Sequence, residues 1–353
     1  MTQSAIPSAE DQLRFLTKLQ RLFAEGDFAA TYKFALLISF ADLAVELGSD
    51  CGDELVLSNS QIGERFIHLY WRQAVPYGTG RINAAPGILV QNNGAQAAVV
   101  AAVAQFRSTH AAATPQVART LSGYAKLLSD VTQTVSAQPL NYLQNFGGVT
   151  DEFIYERLGR GMVSLKSGVA YCFRRFHPLV QQLARSHWVG HIKGNRRNHP
   201  ILGDADDLAE FLFSISRQSL LFLAGELRKI YGGKCFYCGH GLTAMDVDHF
   251  IPFAQYPRDL AHNFVLAHPA CNRSKSDTLA ARPHLERWLQ RLDQNADALT
   301  EVGQAAGLIA DETVSRRVAA WGYASAMASG GHAWLAPRTY EPIDLGYRAY
   351  FDT

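Results

Sequence analysis

Residues that could bind a metal ion or move a proton are concentrated between Lys234 and Asp277. Two cysteines separated by two residues form a knuckle that can present both thiolates to one ion, and a histidine and a cysteine with the same spacing supply a second pair. These candidate ligands are Cys235, Cys238, His268 and Cys271. Four nitrogen and sulfur ligands close a tetrahedral site, so the sequence predicts a structural Zn²⁺ rather than a catalytic one.

The segment between the two ligand pairs carries polar residues that suit catalysis. Asp248 and His249 stand between the apolar Val247 and Phe250, which predicts a short strand ended by Pro252. Adjacent residues of a strand point to opposite faces, so at least one of the two polar side chains is expected to face a site.

A second polar group follows this strand. Asn263 precedes the apolar segment Phe264–Ala267, which predicts a second strand, and Asn272 then opens a helix. The predicted unit is a strand, a loop, a strand and a helix around a metal ion.

This unit resembles the HNH, or ββα-metal, endonucleases, and the resemblance covers residues 234–277 of the 353-residue chain. The spacings of Asn263 and Asn272 from His249 are similar to those in the HNH domain of CRISPR effector nucleases. The resemblance implies that Asp248 and Asn272 hold a catalytic Mg²⁺ or Mn²⁺, which contacts the scissile phosphate and the leaving 3′-oxygen. It further implies that His249 is the general base and that Asn263 fixes the loop and the His249 ring.

Two features depart from the HNH pattern. The last position of the motif is Asn272 instead of histidine, and an amide oxygen can still bind a hard cation. The fourth zinc ligand is His268 where related proteins often have cysteine. If His268 were catalytic, the zinc site would lack a ligand, so we assign His268 to zinc. His240 and His262 are expected to be exposed loop histidines.

A strongly basic block separates this segment from the N-terminal part of the chain. Between Arg157 and Gly203 there are nine basic residues and no Asp or Glu, so the rest of the chain has a formal net charge of about −8. We expect this block to dock nucleic acid, and the alternative is pairing with acidic helices elsewhere. Candidate contacts in this block are Arg174, Arg175, Lys193, Arg196 and Arg197. Arg273 and Lys275 of the HNH-like segment are further candidates, and the alternative for these two is an ordinary solvated helix face.

Within and after this block, the sequence predicts a strand or hairpin over Val163–Phe173 with its turn at Ser167-Gly168. A helix is predicted over Leu179–Ile192 and a loop over residues 194–198. A long helix is predicted over Ala205–Tyr231, ended by two glycines.

The remaining sequence reads as helices, giving a mainly α fold with a small α+β, treble-clef-like ββα-metal domain. Helical hydrophobic spacing begins near Leu13, and Ser58 with Gln61 forms a candidate capping box. A short helix pair followed by a strand at Ile88–Val90 and the turn-like Asn92-Asn93-Gly94 would be one form of a winged-helix element, and an ordinary helical hairpin with a following strand is the alternative. The expected organisation is a helical domain over 1–150, a basic α/β segment over 151–203, the HNH domain with its preceding helix over 204–282, and a helical cap over 283–353.

Composition limits the cellular context. The N-terminal residues Met1–Gln20 lack a secretory pattern, and charged residues interrupt the apolar stretch Phe28–Leu47, which favours a buried helix over a membrane span. Five cysteines in a chain of this length favour one metal site in a reducing, cytoplasmic compartment over a disulfide scaffold. Cys51 and Cys172 are expected to be small buried apolar residues.

The expected function is phosphodiester hydrolysis in nucleic acid, with DNA preferred over RNA. HNH proteins with large helical extensions resemble bacterial restriction or anti-phage defence components and parts of mobile elements, which would imply partner proteins. Two alternatives stay open. One is an RNase that acts on structured RNA, and the other is a catalytically silent zinc-knuckle adaptor that only binds nucleic acid.

Overall fold

The computed structural model describes residues 5–77, 86–110, 114–203, 207–214 and 217–351. The chain forms two compact units, Met1–Phe213 and Ser214–Thr353. Helices dominate and the sheets are small, which confirms the expectation of a mainly helical chain with a small α+β part. In the described ranges, no helix combines the length and apolar character needed to cross a membrane.

The first unit is built mainly from helices around one apolar core. They are α1 (Ala9–Glu25), α2 (Tyr32–Leu47), α3 (Asn59–Trp71), α4 (Ala98–His110), α5 (Pro115–Arg119), α6 (Tyr124–Ala137), α7 (Pro139–Tyr142), α8 (Val169–Arg175), α9 (His177–Gly194), α10 (His199–Leu202) and α11 (Leu208–Phe213).

Helix α2 lies at the centre of this core, since every residue from Tyr32 to Glu46 is buried. The prediction of a buried helix in this stretch is confirmed. Its two acidic residues are paired: Oδ1 of Asp42 accepts hydrogen bonds from His177 Nε2 at 2.9 Å and Gln181 Nε2 at 2.7 Å. Glu46 forms an ion pair with Arg65.

The start of α3 has the expected capping box. The Ser58 hydroxyl accepts from Gln61 N at 3.1 Å, and the Gln61 side chain accepts from Ser58 N at 2.8 Å. The strand expected at Ile88–Val90 is absent from that segment, so the winged-helix interpretation based on it is wrong.

The strands of the first unit come from other segments. The main sheet has the antiparallel order β1-β5-β4, and a two-stranded ladder pairs β2 with β3. Their bounds are β1 (Leu55–Ser58), β2 (Asn145–Phe146), β3 (Val149–Thr150), β4 (Tyr155–Gly159) and β5 (Met162–Leu165).

The prediction for Val163–Phe173 is only partly right. The strand β5 ends at Leu165, and the second half of the segment forms α8 instead of a returning strand. Gly168, at φ 78°, precedes α8 and supplies the left-handed turn into that helix. The helix predicted over Leu179–Ile192 is confirmed as α9.

The second unit contains the HNH-like segment and two long C-terminal helices. Its helices are α12 (Arg217–Tyr231), α13 (Pro269–Lys275), α14 (Arg282–Ala306) and α15 (Glu312–Ala328), and its strands are β6 (Asp246–His249), β7 (Phe264–Ala267), β8 (His332–Ala336) and β9 (Thr339–Pro342). The strands β6 and β7 form one antiparallel pair and β8 and β9 another.

Two expectations for this region need correction. The helix predicted over Ala205–Tyr231 is interrupted: α11 ends at Phe213 and α12 begins at Arg217, while residues 204–206 and 215–216 lie outside the described residues. The C-terminal cap contains a β-hairpin in addition to the expected helices. Its Trp334 donates to Leu279 O at 2.7 Å and accepts from Ala281 N at 2.8 Å through backbone groups, which ties the hairpin to the chain after α13.

The two isolated cysteines behave differently from each other. Cys172 is buried as expected, and burial raises the pKa of its thiol to about 12. Cys51 is only half-buried, and its thiol donates to Asp53 Oδ2 at 3.0 Å, so the expectation of a buried apolar role is wrong for Cys51.

Candidate active site and metal centre

The four predicted zinc ligands converge in the second unit. The ligand atoms of Cys235, Cys238, His268 and Cys271 all lie within 4.8 Å of one another. One nitrogen and three sulfurs at this separation suit a tetrahedral, closed Zn²⁺ site. The cluster therefore fits the structural metal that the sequence predicts.

The hydrogen bonds of His268 decide which of its nitrogens faces this cluster. Its Nε2 lies 3.1 Å from Gly241 O, a pure acceptor, so Nε2 carries the proton. Its Nδ1 lies 3.3 Å from Cys238 Sγ and is left to act as a ligand. This geometry groups His268 with the three cysteines of a cluster that could hold a metal ion.

The thiol of Cys235 is prepared for metal binding. Burial raises its pKa, but hydrogen bonds from the backbone N–H groups of Cys238, His268 and Tyr237 outweigh burial, and the net pKa falls to about 7. Only thiolates bind zinc well, so this environment favours the ligand form near neutral pH.

Strand β6 arranges the acidic and histidine side chains next to the knuckle. Its four residues pair antiparallel with β7, so that Asp248 is opposite Val265 and His249 is opposite Phe264. Because side chains alternate along a strand, Asp246 and Asp248 share one face and His249 points to the other.

Asp248 lies buried between a tyrosine and a lysine. The Tyr237 hydroxyl donates to Asp248 Oδ2 at 2.5 Å, and Lys275 Nζ lies 3.1 Å from the same oxygen. Lys275 also donates to the backbone oxygen of His249 at 3.0 Å. Its side chain is fully buried, and burial lowers its pKa although Asp248 opposes this. Lys275 thus holds Asp248 from inside the protein and does not present its charge to solvent, as a phosphate contact would require.

Asn272 is located on α13 opposite the first residue of β6. Its Nδ2 donates to Asp246 Oδ2 at 3.1 Å, and both side chains are half-buried. The carboxylate of Asp248 and the amide oxygen of Asn272 are hard oxygen donors, which suits Mg²⁺ or Mn²⁺ and not a soft metal. Arg273, the next residue, is exposed.

His249 forms a dyad with a residue that the sequence did not indicate. Its Nε2 lies 2.9 Å from Asp259 Oδ1, and the two side chains are 19% and 15% exposed. The ring packs against Phe264 and Phe253, with centroids 4.4 Å and 5.2 Å away. No feature of the loop sequence marks Asp259, because it approaches His249 only once the loop is folded.

Asn263 joins the two strands at the end where His249 lies. Its Oδ1 accepts from Ile251 N at 2.7 Å and its Nδ2 donates to Ile251 O at 2.9 Å. Its backbone oxygen accepts from Phe250 N at 2.7 Å. These contacts suit the expected positioning role, because they fix the chain directly after His249.

Helix α14 donates hydrogen bonds to backbone oxygens on both sides of Asn263. The buried Arg291 donates to Phe264 O at 2.8 Å and to His262 O at 2.9 Å, and Trp288 Nε1 donates to His262 O at 3.1 Å. His262 is fully buried and lies 3.3 Å from Ala296 O through Nε2, so the expectation that it is exposed is wrong. The sequence alone does not reveal that α14 takes part in the site.

The predicted docking residues of the first unit have different surroundings. Arg174 is buried, lies 2.7 Å from Asp50 Oδ1 and donates to carbonyl oxygens at the end of α2, so it stabilises a helix end. Arg175 is half-buried, whereas Lys193, Arg196 and Arg197 are exposed at the end of α9 and just after it.

Two family models match the chain. One, described as a domain of unknown function (DUF8808), matches residues 12–212, and the other, described as HNH endonuclease, matches residues 235–281. No curated protein and no solved structure matches. The second match covers all the ligands of the zinc cluster and the residues from Asp246 to Lys275 that surround Asp248 and His249. Since the first covers more than half of the chain, the protein belongs to the DUF8808 family and carries an HNH endonuclease segment in its second unit.

Proposed function

We propose that this protein is a metal-dependent endonuclease that hydrolyses phosphodiester bonds in DNA. The observation that carries the proposal is the contact of 2.9 Å between His249 and Asp259, in which His249 lies on the strand that also bears Asp248. A histidine held by a carboxylate through one nitrogen keeps the other available as a base. A purely structural zinc knuckle has no use for this arrangement, which argues against the silent adaptor.

His249 acts as the general base in this proposal. Its Nε2 is directed at Asp259, and among the described residues none bonds its Nδ1, which would take the proton from the attacking water. Asp259 keeps the proton on Nε2 and stabilises the positive ring that forms.

Asp248 and Asn272 would hold the divalent cation. A cation there supplies Lewis-acid stabilisation of the negative charge that develops on the phosphate and the leaving oxygen. Tyr237 and Lys275 fix Asp248, and Asn263 fixes the chain after His249, so the two parts of the site keep their relative positions.

The exposed basic residues at the end of α9 would dock the substrate. Lys193, Arg196 and Arg197 belong to a segment without acidic residues, and charge of one sign favours a polyanion. The preference for DNA and a role in restriction or anti-phage defence rest on the resemblance to HNH endonucleases with large helical extensions.

The test is cleavage of supercoiled plasmid by the purified, zinc-loaded protein, with and without Mg²⁺ or Mn²⁺. We expect nicked or linear product only with the cation, and a loss of roughly 10²–10⁴-fold in His249→Ala. His332→Ala, which removes an exposed histidine of the same unit, is the matched control. A structured RNA run in parallel distinguishes an RNase, and wild-type cleavage rates in His249→Ala would overturn the proposal.

A further inference from the structure

One hydrogen bond beside the proposed cation site involves a residue to which the HNH pattern gives no role. Asn272 Nδ2 donates to Asp246 Oδ2 at 3.1 Å. The two residues come from different elements, α13 and β6, and both are half-buried. Partial burial strengthens such a hydrogen bond, because water competes less for the charged acceptor there.

An amide is an ambiguous metal ligand. Its oxygen can bind a hard cation and its NH₂ group cannot, yet the two ends have nearly the same shape and a half-turn about the last bond exchanges them. Such a ligand presents its oxygen to the cation in only one of two similar orientations, unless a neighbour distinguishes its two ends.

A carboxylate makes that distinction, because an ionised carboxylate only accepts hydrogen bonds. With Asp246 beside it, the NH₂ end of Asn272 is attracted to the carboxylate, and the reversed amide would place oxygen against oxygen. Oδ1 must therefore point away from Asp246, and among the described residues none donates a hydrogen bond to it.

The placement of the pair explains why Asp246 can do this. Asp246 and Asp248 lie on the same face of β6, and α13 presents Asn272 and Lys275, three residues apart, to this face. Lys275 contacts Asp248 at 3.1 Å while Asn272 contacts Asp246 at 3.1 Å. The helix is thus fixed to the strand at two points, one at Asp248 and one at Asp246.

We infer that Asp246 is a positioning residue that orients the amide of Asn272 so that Oδ1 faces the catalytic cation. This inference rests on the proposed function, because it concerns the cation that Asp248 and Asn272 would share. Asp246 acts through Asn272 and is not itself a ligand.

The test is a double-mutant cycle read by Mn²⁺ binding to the zinc-loaded, full-length protein, measured by calorimetry or by the Mn²⁺ paramagnetic resonance signal. Asp246→Ala should weaken Mn²⁺ binding roughly 10–100-fold in the wild-type background. In the Asn272→Asp background both ligand oxygens are equivalent and need no orientation, so the same Asp246→Ala change should cost at least tenfold less.

The matched control is Asp277→Asn, which removes one exposed negative charge near α13 and should leave the cycle unaffected. Zinc content and circular dichroism check that each variant is folded. Equal losses of Mn²⁺ affinity in both backgrounds would mean that Asp246 acts by charge or as a ligand. That result, or an unchanged Mn²⁺ affinity in Asp246→Ala, would overturn this inference and leave the proposed function standing. If the wild-type protein bound no Mn²⁺, the proposed cation site itself would be wrong, and the inference with it.

Discussion

At the scale of single residues, the contact between His249 and Asp259 determines which ring nitrogen can act as a base. A carboxylate at 2.9 Å from Nε2 favours the tautomer with the proton on Nε2. Without Asp259 the ring could adopt either tautomer and could rotate between Phe253 and Phe264, and the base would be correctly placed for only part of the time.

We therefore expect Asp259→Ala to lower kcat for plasmid cleavage by about 10- to 100-fold with little change in KM. Asp259 acts through the histidine, so the same change in the His249→Ala background should have no further effect. Steady-state kinetics of the two single variants and the double variant measure this. An additional loss in the double variant would show that Asp259 acts independently of His249.

The residues of this site differ in how far the sequence reveals them. The cysteine and histidine ligands are indicated by residue type and spacing, and the proposed roles of Asp248, His249 and Asn272 are implied by the resemblance to HNH endonucleases. Asp246, Tyr237 and Asp259 do not, since their roles depend on side-chain directions. Lys275 was expected at a phosphate because its residue type suits one, but the fold of α13 directs it into the protein.

At the scale of elements, one residue between the two cysteines of the knuckle contacts strand β6. Tyr237 lies between the ligands Cys235 and Cys238, and its hydroxyl donates to Asp248 Oδ2 at 2.5 Å. Its ring packs edge-on against Trp334 and His284, with centroids 5.3 Å away in each case. The position of Asp248 therefore depends on a knuckle that the metal closes.

Cys238→Ser should lose zinc and unfold or loosen residues 234–277, because metal binding supplies folding free energy on the order of 10 kcal/mol in comparable small zinc domains. Asp248→Ala should retain zinc and lose cleavage, since it removes a proposed cation ligand outside the knuckle. Elemental analysis and thermal unfolding of both variants measure the difference. Well-folded wild-type protein without zinc would contradict the ligand assignment.

The elements themselves were predictable where a local pattern fixes them and not where tertiary contacts do. The capping box at Ser58 and the buried helix α2 follow from local sequence. The hairpin of β8 and β9 was missed because Trp334 finds its backbone partners, Leu279 and Ala281, far away in sequence. The role of α14 was missed because Arg291, which holds two carbonyl oxygens near Asn263, looks like an ordinary surface residue in a helical pattern.

At the scale of the whole molecule, the near-neutral net charge conceals a block that has nine basic residues and no acid between Arg157 and Gly203. The structure divides this block by environment. Arg174 is used internally against Asp50, and Lys166 pairs with Glu156 at 3.1 Å. Among the predicted contacts in this block, Lys193, Arg196 and Arg197 are exposed, so the docking prediction depends mainly on these three residues.

Each phosphate contact releases condensed counterions, so losing one should reduce the slope of log affinity against log salt by about 0.9 on duplex DNA. Changing Lys193, Arg196 and Arg197 to Gln together should thus weaken binding to all DNA sequences alike. It should also reduce that slope by up to about three times the amount expected for one contact. Zinc content should not change, because the zinc ligands lie in the other unit. Titrations of labelled duplex at several salt concentrations measure both quantities.

The control for this prediction is a triple change with the same loss of charge at residues outside the block. Arg14, Arg21 and Lys126 are suitable because each is exposed and already paired with an acid on its own helix, at 2.7–3.0 Å. If charge at the end of α9 binds phosphate, this second triple variant should keep the wild-type salt slope, since its cations are paired with carboxylates and release no counterions from DNA phosphates. If net charge alone attracts the duplex, both triple variants should weaken binding equally. Equal weakening would move the docking surface away from Lys193, Arg196 and Arg197.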